Sequence, residues 1–395
     1  MSQFGFAPLP APAITFLVRL DQKDLCMNVL STGKKDWTNI LFLALTPLIG
    51  IVGTGLYTWR TGFAWWMPLL MIGMYALVGL SICAGYHRYF SHKSFECSRP
   101  VQVFFAIFGA MAVQNSILQW CAGHRQHHSK VDSDWDPYSI KRGFWWAHIL
   151  WIFEVSHYDL ENVRDLKANP IVQWQDRWYK VIGLVAGFAV PTLIGAYFGN
   201  ALAGLLWGGF LRIVVIHHTT FFVNSLAHHM GSQEFDSEVS ARDNWMVALV
   251  TLGEGYHSFH HRFPSDFRNG IRWYQWDPAK WFIRSMRIIG QASDLHATPQ
   301  PQIDHVRLKV ALKQVETKLN KVEPAYGEEI RKRLHAALEK LEQALALWRQ
   351  QAAERARDAS SAWKAKRKTS LRMARHARKE WRMALNMLSR VQTLP

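Results

Sequence analysis

The chain has 395 residues, of which 49% are hydrophobic and 19% charged, with a formal net charge of +16 at pH 7. Its four cysteines form no CxxC pair and no even-spaced framework, which excludes a disulfide-stapled domain and indicates a reducing compartment. The first long apolar run begins near Ile40, too far into the chain for a signal peptide. Residues 301–395 hold 22 Lys and Arg against 10 Asp and Glu, so most of the positive charge follows the apolar part of the chain.

Four apolar runs are long enough to cross a bilayer, which requires about 20 apolar residues per helix. We predict spans at about residues 40–59, 63–84, 181–197 and 202–222. Because the loops inside each pair are short, the spans form two helical hairpins. Basic residues are frequent between the second and third spans and in the C-terminal region. The positive-inside rule therefore puts both termini and the middle segment in the cytoplasm.

Two further intervals, 101–119 and 144–153, are apolar and aromatic but less suited to spanning. They are predicted to be helices at the membrane interface, where Trp is favoured. Residues 1–39 are then an N-terminal cytosolic segment, residues 40–299 a membrane domain, and residues 300–395 a basic helical C-terminal extension.

Nine of the 18 histidines, with one asparagine, form four groups along the chain. At about 3.6 residues per turn, positions i, i+3 and i+4 share one helix face, so each HxxHH group is expected to aim three imidazoles at one point. An i, i+5 pair diverges on an ideal helix and suits a helix end or two different metals. The groups are His87 and His92; His124, His127 and His128; Asn224 and His228; and His257, His260 and His261.

Nine neutral imidazoles exceed the ligand requirement of one tetrahedral zinc and suit a pair of metals with open positions. Imidazole binds iron, zinc and copper alike, so the ligands alone do not identify the metal. All four groups lie at the predicted cytoplasmic ends of spans or in cytoplasmic segments, where the topology can bring them together.

Charged residues near these groups have two interpretations. Asp132, Asp134, Asp136 and Glu254 either accept hydrogen bonds from metal-binding histidines or cap turns. Arg212 lies inside the fourth predicted span, where a charge is costly. It either has a direct function, anchors backbone carbonyls in the bundle, or extends its charged end to the membrane surface.

The segments around the histidines resemble those of the membrane fatty acyl desaturases, specifically the stearoyl-CoA (Δ9) type. The resemblance covers about residues 40–290, and the last 100 residues are outside it. The segments that carry it are GYHRYFSHKSFE, NSILQWCAGHRQHHSKVDSDWDPYSIKRGFWWAHILW, DLKANPIVQWQDRWYK, FLRIVVIHHTTFFVNSLAH and LGEGYHSFHHRFP.

This resemblance implies an all-α fold, with four transmembrane helices, a cytosolic helical cap that holds a histidine-rich di-iron site, and a kinked tunnel for the acyl chain. It implies that the nine histidines bind two iron ions (Fe²⁺) and that Asn224 acts through a water. The implied reaction is oxygen-dependent insertion of a cis double bond, Δ9 by the type, into a saturated acyl chain. No catalytic side chain is expected beyond the metal ligands.

Two departures from the animal stearoyl-CoA desaturases concern the CoA head group. The Arg-Asp pair that contacts CoA there is Ala122-Gly123 in this chain, and a basic pair used for the same purpose is Val155-Ser156. The carrier is therefore either CoA, which we favour, or a membrane lipid that holds the acyl chain as an ester.

Three residues are predicted to bind the substrate. Asn115 matches a CoA-contacting asparagine of the family, and we add Trp120 and Trp145 from the cytosolic segment. No HPGG haem-binding segment is present, so a separate ferredoxin, cytochrome or flavin reductase is expected to supply electrons. The bilayer is the other expected partner, in a bacterial inner membrane rather than the endoplasmic reticulum, and no nucleic acid is expected.

The C-terminal extension carries an apolar stripe at helical spacing, which predicts an amphipathic helix. The stripe comprises Ile330, Leu334, Leu338, Leu341, Leu345 and Trp348. The basic segment beyond Arg355 fits anionic headgroups or an acidic electron-transfer partner, and a solvated appendage or self-association coil is the alternative.

Two other functions fit the histidine pattern. A membrane fatty acyl hydroxylase needs the same ligands, and a metal-binding transporter or scaffold is the non-enzymatic alternative. A transporter would need polar residues along the spans, where the only charged residues or histidines are Arg212, His217 and His218.

Overall fold

The structure is a computed structural model that describes residues 33–319 and 324–355, together with 372–373, 375–377, 379 and 383. Its secondary structure is almost entirely helical, with one pair of two-residue strands, β1 (Glu96–Cys97) and β2 (Ala292–Ser293). In chain order, the helices are α1 (Trp37–Thr61), α2 (Trp66–Ser91), α3 (Arg99–Ala110), α4 (Ile117–Lys130), α5 (Phe144–His148), α6 (Arg164–Lys167), α7 (Pro170–Tyr197), α8 (Ala201–His229), α9 (Trp245–Val250), α10 (His257–Arg262), α11 (Pro278–Ile288), α12 (Gln300–Leu319) and α13 (Pro324–Arg355).

Four of these helices, α1, α2, α7 and α8, are long and apolar enough to cross a membrane. This confirms the predicted all-α fold with four spans. The helices extend beyond the predicted apolar runs: α7 begins at Pro170 rather than near residue 181, and α8 continues to His229 rather than residue 222. Polar turns at the ends of the spans are helical but carry no hydropathy signal.

Each span contains a stretch of π-helix, in which backbone hydrogen bonds join residues five apart. The stretches are Leu48–Gly53, Ser81–Ser91, Val185–Ala189 and Leu205–Leu211. The one in α2 covers the beginning of the first histidine group.

Helix α8 lies at the centre of the bundle, because 56% of its apolar portion is buried, against 17% for α1. Glycines allow its close approach to neighbouring helices. A Cβ added to Gly195 of α7 would lie 2.6 Å from Gly204 Cα of α8, and one added to Gly50 of α1 would lie 2.9 Å from Val214 Cγ2. The spans therefore pack backbone against backbone, as is common in membrane helices.

The segments at 92–169 and 230–299 form a cap on the side of the bundle where α2 ends and α7 begins. One apolar core joins the cap to the bundle, and it includes Phe90, Phe105 and Ile283. Strand β1 pairs antiparallel with β2, with Glu96 opposite Ser293 and Cys97 opposite Ala292. This pairing ties the start of the cap to its end.

The predicted interface segment 101–119 is not one helix. Helix α3 ends at Ala110, and Val113 and Asn115 have positive φ angles of 54° and 81°. Because these two residues have a left-handed backbone conformation, the chain turns here, before Ser116 caps the start of α4. The second interval consists of α5 and a 3-10 turn at Leu150–Phe153.

Helices α12 and α13 form a hairpin that follows the cap. Buried side chains on facing sides, including Leu308, Leu312, Ile330 and Leu334, hold the two helices together. The helix predicted at residues 330–348 is confirmed as part of α13, and Ile330 and Leu334 of the predicted stripe are buried. Most of the basic segment beyond Arg355 lies outside the described residues.

Candidate metal centre

The first histidine pair uses the π-helical end of α2. The backbone N–H of His92 donates to the carbonyl of His87 at 3.2 Å, which is the five-residue hydrogen bond of a π-turn. The wider turn puts both side chains on one face, with ring centroids 5.0 Å apart. The divergence expected on an ideal helix is therefore avoided.

The nine predicted histidines lie together in two adjacent groups, and the potential ligand atoms within each group are all within 4.8 Å of one another. We name them the five-histidine group and the four-histidine group. The five-histidine group consists of His87, His92, His124, His128 and His260, and the four-histidine group consists of His127, His228, His257 and His261.

Each HxxHH box is divided between the groups, which corrects the expectation that its three imidazoles meet at one point. At about 100° per residue, positions i and i+4 differ by about 40°, whereas i+3 lies about 60° away on the other side. His257 and His261 accordingly share the four-histidine group, while His260 joins the other. The HxxHH box at residues 124–128 divides in the same way: His127 belongs to the four-histidine group, and His124 and His128 belong to the five-histidine group.

The imidazole nitrogens approach one another as ligands of a common ion would. The Nε2 atoms are 2.9 Å apart in His87 and His260, 2.8 Å in His92 and His124, and 3.1 Å in His228 and His257. Two imidazoles bound at right angles with metal–nitrogen bonds of about 2.1 Å would have nitrogens about 3.0 Å apart. The spacing therefore fits a bound metal in each group.

Hydrogen bonds on the far side of three rings set which nitrogen faces inward. His87 Nδ1 is 2.5 Å from Glu254, His127 Nδ1 is 2.8 Å from Asp136, and His228 Nδ1 is 2.7 Å from Ser240 Oγ. An Nδ1–H that donates to an oxygen leaves the Nε2 lone pair free. The inward-facing lone pairs of these three rings therefore also fit metal binding.

Burial favours the neutral form of the rings. It lowers the pKa of the cap histidines well below its ordinary value, and neighbouring histidines lower it further. This holds for His92, His124, His128, His257, His260 and His261. Neutral imidazole is the form that binds a metal.

Glu254 connects the five-histidine group to a buried network. Its carboxylate accepts hydrogen bonds from Arg88 at 2.8 Å and from Asn269 Nδ2 at 2.8 Å. Arg88 also contacts Asp277 at 2.9 Å. Burial raises the pKa of the Glu254 carboxyl, but His87 and Arg88 outweigh burial and lower the pKa to about 2. Glu254 is thus an anion that orients His87.

Of the three aspartates after His128, Asp136 fulfils both of the alternatives given for them. Asp136 accepts from His127 and also from the backbone N–H groups of Asp132 and Tyr138, at 3.1 and 3.2 Å. Asp132 binds Ser240 instead of a histidine. The carboxylate that holds this turn is therefore also the one that orients His127.

A cavity of about 320 Å³ lies beside the two groups. His87, His124, His127 and His257 form part of its wall, and Asn224, Asn115 and Trp120 also line it. Trp145 does not: its side chain is 65% exposed, on α5. A Cβ on Gly123 would lie 3.0 Å from Tyr158 Cε1, so Tyr158 fills the space of a larger side chain at that position.

Arg212 is fully buried in the bundle, where it anchors the backbone. Its guanidinium donates to the carbonyls of Gly208 at 3.1 Å, Gly187 at 3.0 Å and Met111 at 2.5 Å. Gly187 and Gly208 are in the π-helical stretches of α7 and α8. The anchoring alternative is therefore the one that the contacts support.

Sequence reasoning missed Ser240, Asn269 and Asp277. Each is a common polar residue in a loop or helix cap, without a motif around it. Asp277 is the N-cap of α11, and its local signal is the Asp-Pro that begins that helix.

Fold and site together define a four-span membrane protein with two adjacent all-histidine groups beside a buried cavity. The fatty acid desaturase family model matches residues 63–287, a range that includes all nine histidines and Asn224. The chain belongs to the fatty acid desaturase family.

Curated relatives agree with this assignment. The chain is 37% identical over 297 residues to Acyl-CoA desaturase 1 of Saccharomyces cerevisiae, which covers 73% of this chain and 57% of the yeast protein. It is 41% identical over 275 residues to a probable acyl-CoA desaturase of Schizosaccharomyces pombe, covering 68% and 56%. It is 34% identical over 276 residues to the sn-2 palmitoyl-lipid 9-desaturase of a Nostoc species, covering 68% and 93%. The chain thus spans less than three fifths of the length of the two yeast relatives.

Proposed function

We propose that the protein is an oxygen-dependent fatty acyl desaturase that introduces a cis Δ9 double bond into a saturated acyl chain. The observation that carries this proposal is the pair of histidine groups with their Nε2 atoms about 3 Å apart at the wall of the cavity. Membership of the desaturase family supports the same activity.

In this proposal the five-histidine group holds one iron ion (Fe²⁺), and the four-histidine group, with Asn224 through a water, holds a second. When bound, the two ions supply the oxygen-activating redox chemistry that side chains lack. Each turnover removes two hydrogens from neighbouring carbons, takes up two electrons and two protons, and reduces dioxygen to two waters. Glu254 and Asp136 orient the histidines.

The cavity is the proposed acyl-chain site. Its wall includes Asp36 before α1, Glu154 of the cap, and Gly79 and Ile82 of α2. Fixing the chain in this space sets which carbons lie beside the histidines, so regioselectivity follows from position. Asn115 and Trp120 are retained as substrate-binding residues, whereas Trp145 is left out because it does not line the cavity.

We favour acyl-CoA as the substrate, in line with the names of the two yeast relatives. An acyl chain esterified in a membrane lipid is the second candidate. It is favoured by the described cavity wall, which includes the carboxylates Asp36 and Glu154 and neither Lys nor Arg to receive CoA phosphates; the nearby Lys35 is paired with Glu154 at 3.3 Å.

The proposed orientation has the cap and both termini in the cytoplasm of a bacterial cell, with the spans in the inner membrane. Electrons come from a separate ferredoxin, cytochrome or flavin reductase. The positive-inside rule supports this orientation.

The test uses the purified full-length protein with a reducing system, supplied either with stearoyl-CoA or with phosphatidylcholine that carries a stearoyl chain. Gas chromatography with mass spectrometry of the released acids is expected to show the Δ9 monoene. Hydroxy acids without a monoene would indicate the hydroxylase instead. His127→Ala should abolish the product while the protein remains in the membrane, and wild-type product levels would contradict the proposed ligand.

A further inference from the structure

Residues 230–244, which we call the connecting loop, join α8 to α9 and therefore follow directly on His228. The ends of the loop pair with each other: Ser232 and Asp243 exchange backbone hydrogen bonds of 3.0 and 2.8 Å. Asn244 and Arg242 add further backbone bonds, to Gly255 at 2.8 Å and Ala227 at 2.7 Å. The loop is thus a folded unit of fixed shape.

Ser240 in this loop links a carboxylate to a histidine of the four-histidine group. Its hydroxyl is 2.6 Å from Asp132 Oδ1 and 2.7 Å from His228 Nδ1, and its backbone N–H donates to Asp132 Oδ2 at 2.6 Å. A hydroxyl has one hydrogen to donate. Since that hydrogen goes to the carboxylate, His228 must donate its Nδ1–H to Ser240, which leaves His228 Nε2 to face His257.

Asp132 is itself fixed in place. It has a left-handed φ of 62°, and its backbone N–H donates to Asp136, the carboxylate that receives His127 Nδ1. His127 and His228, two of the four histidines in the group, are therefore oriented by one connected set of hydrogen bonds.

Helix α12 packs against the other side of the connecting loop. Ile303 is fully buried, and with Val306 it packs in a cluster with Phe235 of the loop and Phe259 of α10. Arg307 forms an ion pair with Glu234. Further along the helix, Lys313 pairs with Glu238, and Gln314 Nε2 donates to the carbonyl of Gln233 at 3.2 Å. These contacts extend along the loop from residue 233 to residue 238.

We infer that α12, which lies beyond the family match ending at residue 287, is a positioning element of the four-histidine group. It holds the connecting loop so that Ser240 bridges Asp132 and His228. Its contact with Phe259, between His257 and His260, supports the ligand helix α10 from the same side. The C-terminal extension therefore belongs functionally to the metal centre. This inference depends on the proposed two-metal centre but not on the reaction.

The test is a Co²⁺ titration of the metal-free full-length protein, followed by visible absorption and by metal analysis. Wild-type protein is expected to bind two ions. Ser240→Ala should weaken one of the two sites by about 10- to 100-fold, the effect typical of removing a hydrogen-bond partner of a ligand histidine. Ser240→Thr, which keeps the hydroxyl, should restore the wild-type titration and spectrum.

The role of α12 is tested with two matched truncations of buried aliphatic side chains. Ile303 faces the loop, whereas Leu312 packs against α13. Ile303→Ala should weaken the same site as Ser240→Ala, and Leu312→Ala should bind both ions as wild type does. Equal titrations of the two α12 variants, or two wild-type sites in Ser240→Ala, would overturn the inference. Fewer than two ions in wild-type protein would instead contradict the proposed centre.

Discussion

Replacing Glu254 with glutamine tests whether the buried network supports the metal centre. The carboxylate is 5% exposed and accepts hydrogen bonds from His87, Arg88 and Asn269 at 2.5, 2.8 and 2.8 Å. Glutamine converts one acceptor oxygen into an NH₂ group, which must then face one of these donors. Breaking a buried ion pair costs about 3–5 kcal/mol. Because Asp277 still neutralises Arg88, we expect a loss at the lower end, about 3 kcal/mol.

Two measurements follow from this magnitude. The melting temperature of the detergent-solubilised protein should fall by roughly 5 °C. Affinity for one of two Co²⁺ ions should fall by about 10- to 100-fold, because an amide oxygen that stays on the charged Arg88 leaves the NH₂ group facing His87, which then loses its acceptor.

The stability difference should also depend on pH. The folded-state pKa of Glu254, about 2, is below its ordinary value of 4.5, so its contribution is fully present above pH 4.5 and is lost as the pH falls towards 2. The difference in melting temperature between wild type and Glu254→Gln should therefore narrow as the pH falls from 4.5 towards 2.

Glu161→Gln is the matched control, because Glu161 forms its ion pair with Lys167 at the surface. It should leave the melting temperature and the Co²⁺ titration unchanged. If Glu254→Gln melts within about 1 °C of wild type and binds both ions normally, the reasoning about the network is wrong.

Three other substitutions test separate parts of the structure. Gly79→Leu should shorten the acyl chain that is accepted, because a Cβ there would lie 2.7 Å from Leu252 Cδ1 and displace Leu252, and both residues line the cavity; an unchanged chain-length profile by gas chromatography would argue against this part of the wall as an acyl-chain contact. Burial raises the pKa of Asp243 to about 7, so wild type should lose stability as the pH rises from about 4 to 7. The melting temperature of Asp243→Asn should not show this fall with pH. Melting temperatures of wild type and variant that change in parallel with pH would contradict the prediction. Arg212→Lys should lower the melting temperature, since unpaired buried carbonyls cost about 1–3 kcal/mol each; wild-type melting would contradict the anchoring role.

The four spans and the set of nine histidines could be predicted from the sequence, because both have local signals. Twenty apolar residues identify a span, and the spacing of an HxxHH box identifies a helix face. The all-α fold and four spans are accordingly confirmed. The helix ends were predicted less accurately, because the polar turns that extend α7 and α8 beyond their apolar runs resemble loops in composition.

Helix geometry divides each HxxHH box, but which histidines share a group and what supports them depend on contacts between distant parts of the chain. Ser240 and Asp132 are 108 residues apart in sequence, and Arg88 and Asp277 are 189 apart. Serine and asparagine are common in loops, so nothing local distinguishes Ser240 and Asn269, and the Asp-Pro signal at Asp277 indicates a helix start but not its contact with Arg88. The pairing of β1 with β2 is equally inaccessible, because two residues per strand carry no alternation pattern.

The π-turn at the end of α2 couples the length of the first histidine box to the shape of a transmembrane helix. His92 follows His87 by five positions, and a π-turn brings that spacing onto one face. A chain with one residue fewer between these positions would align the same two imidazoles only on an ordinary α-helix. An insertion or deletion between the two histidines must therefore be accompanied by a change between π-helix and α-helix at the end of the span. The number of residues between the histidines thus indicates the helix type at the end of the membrane segment.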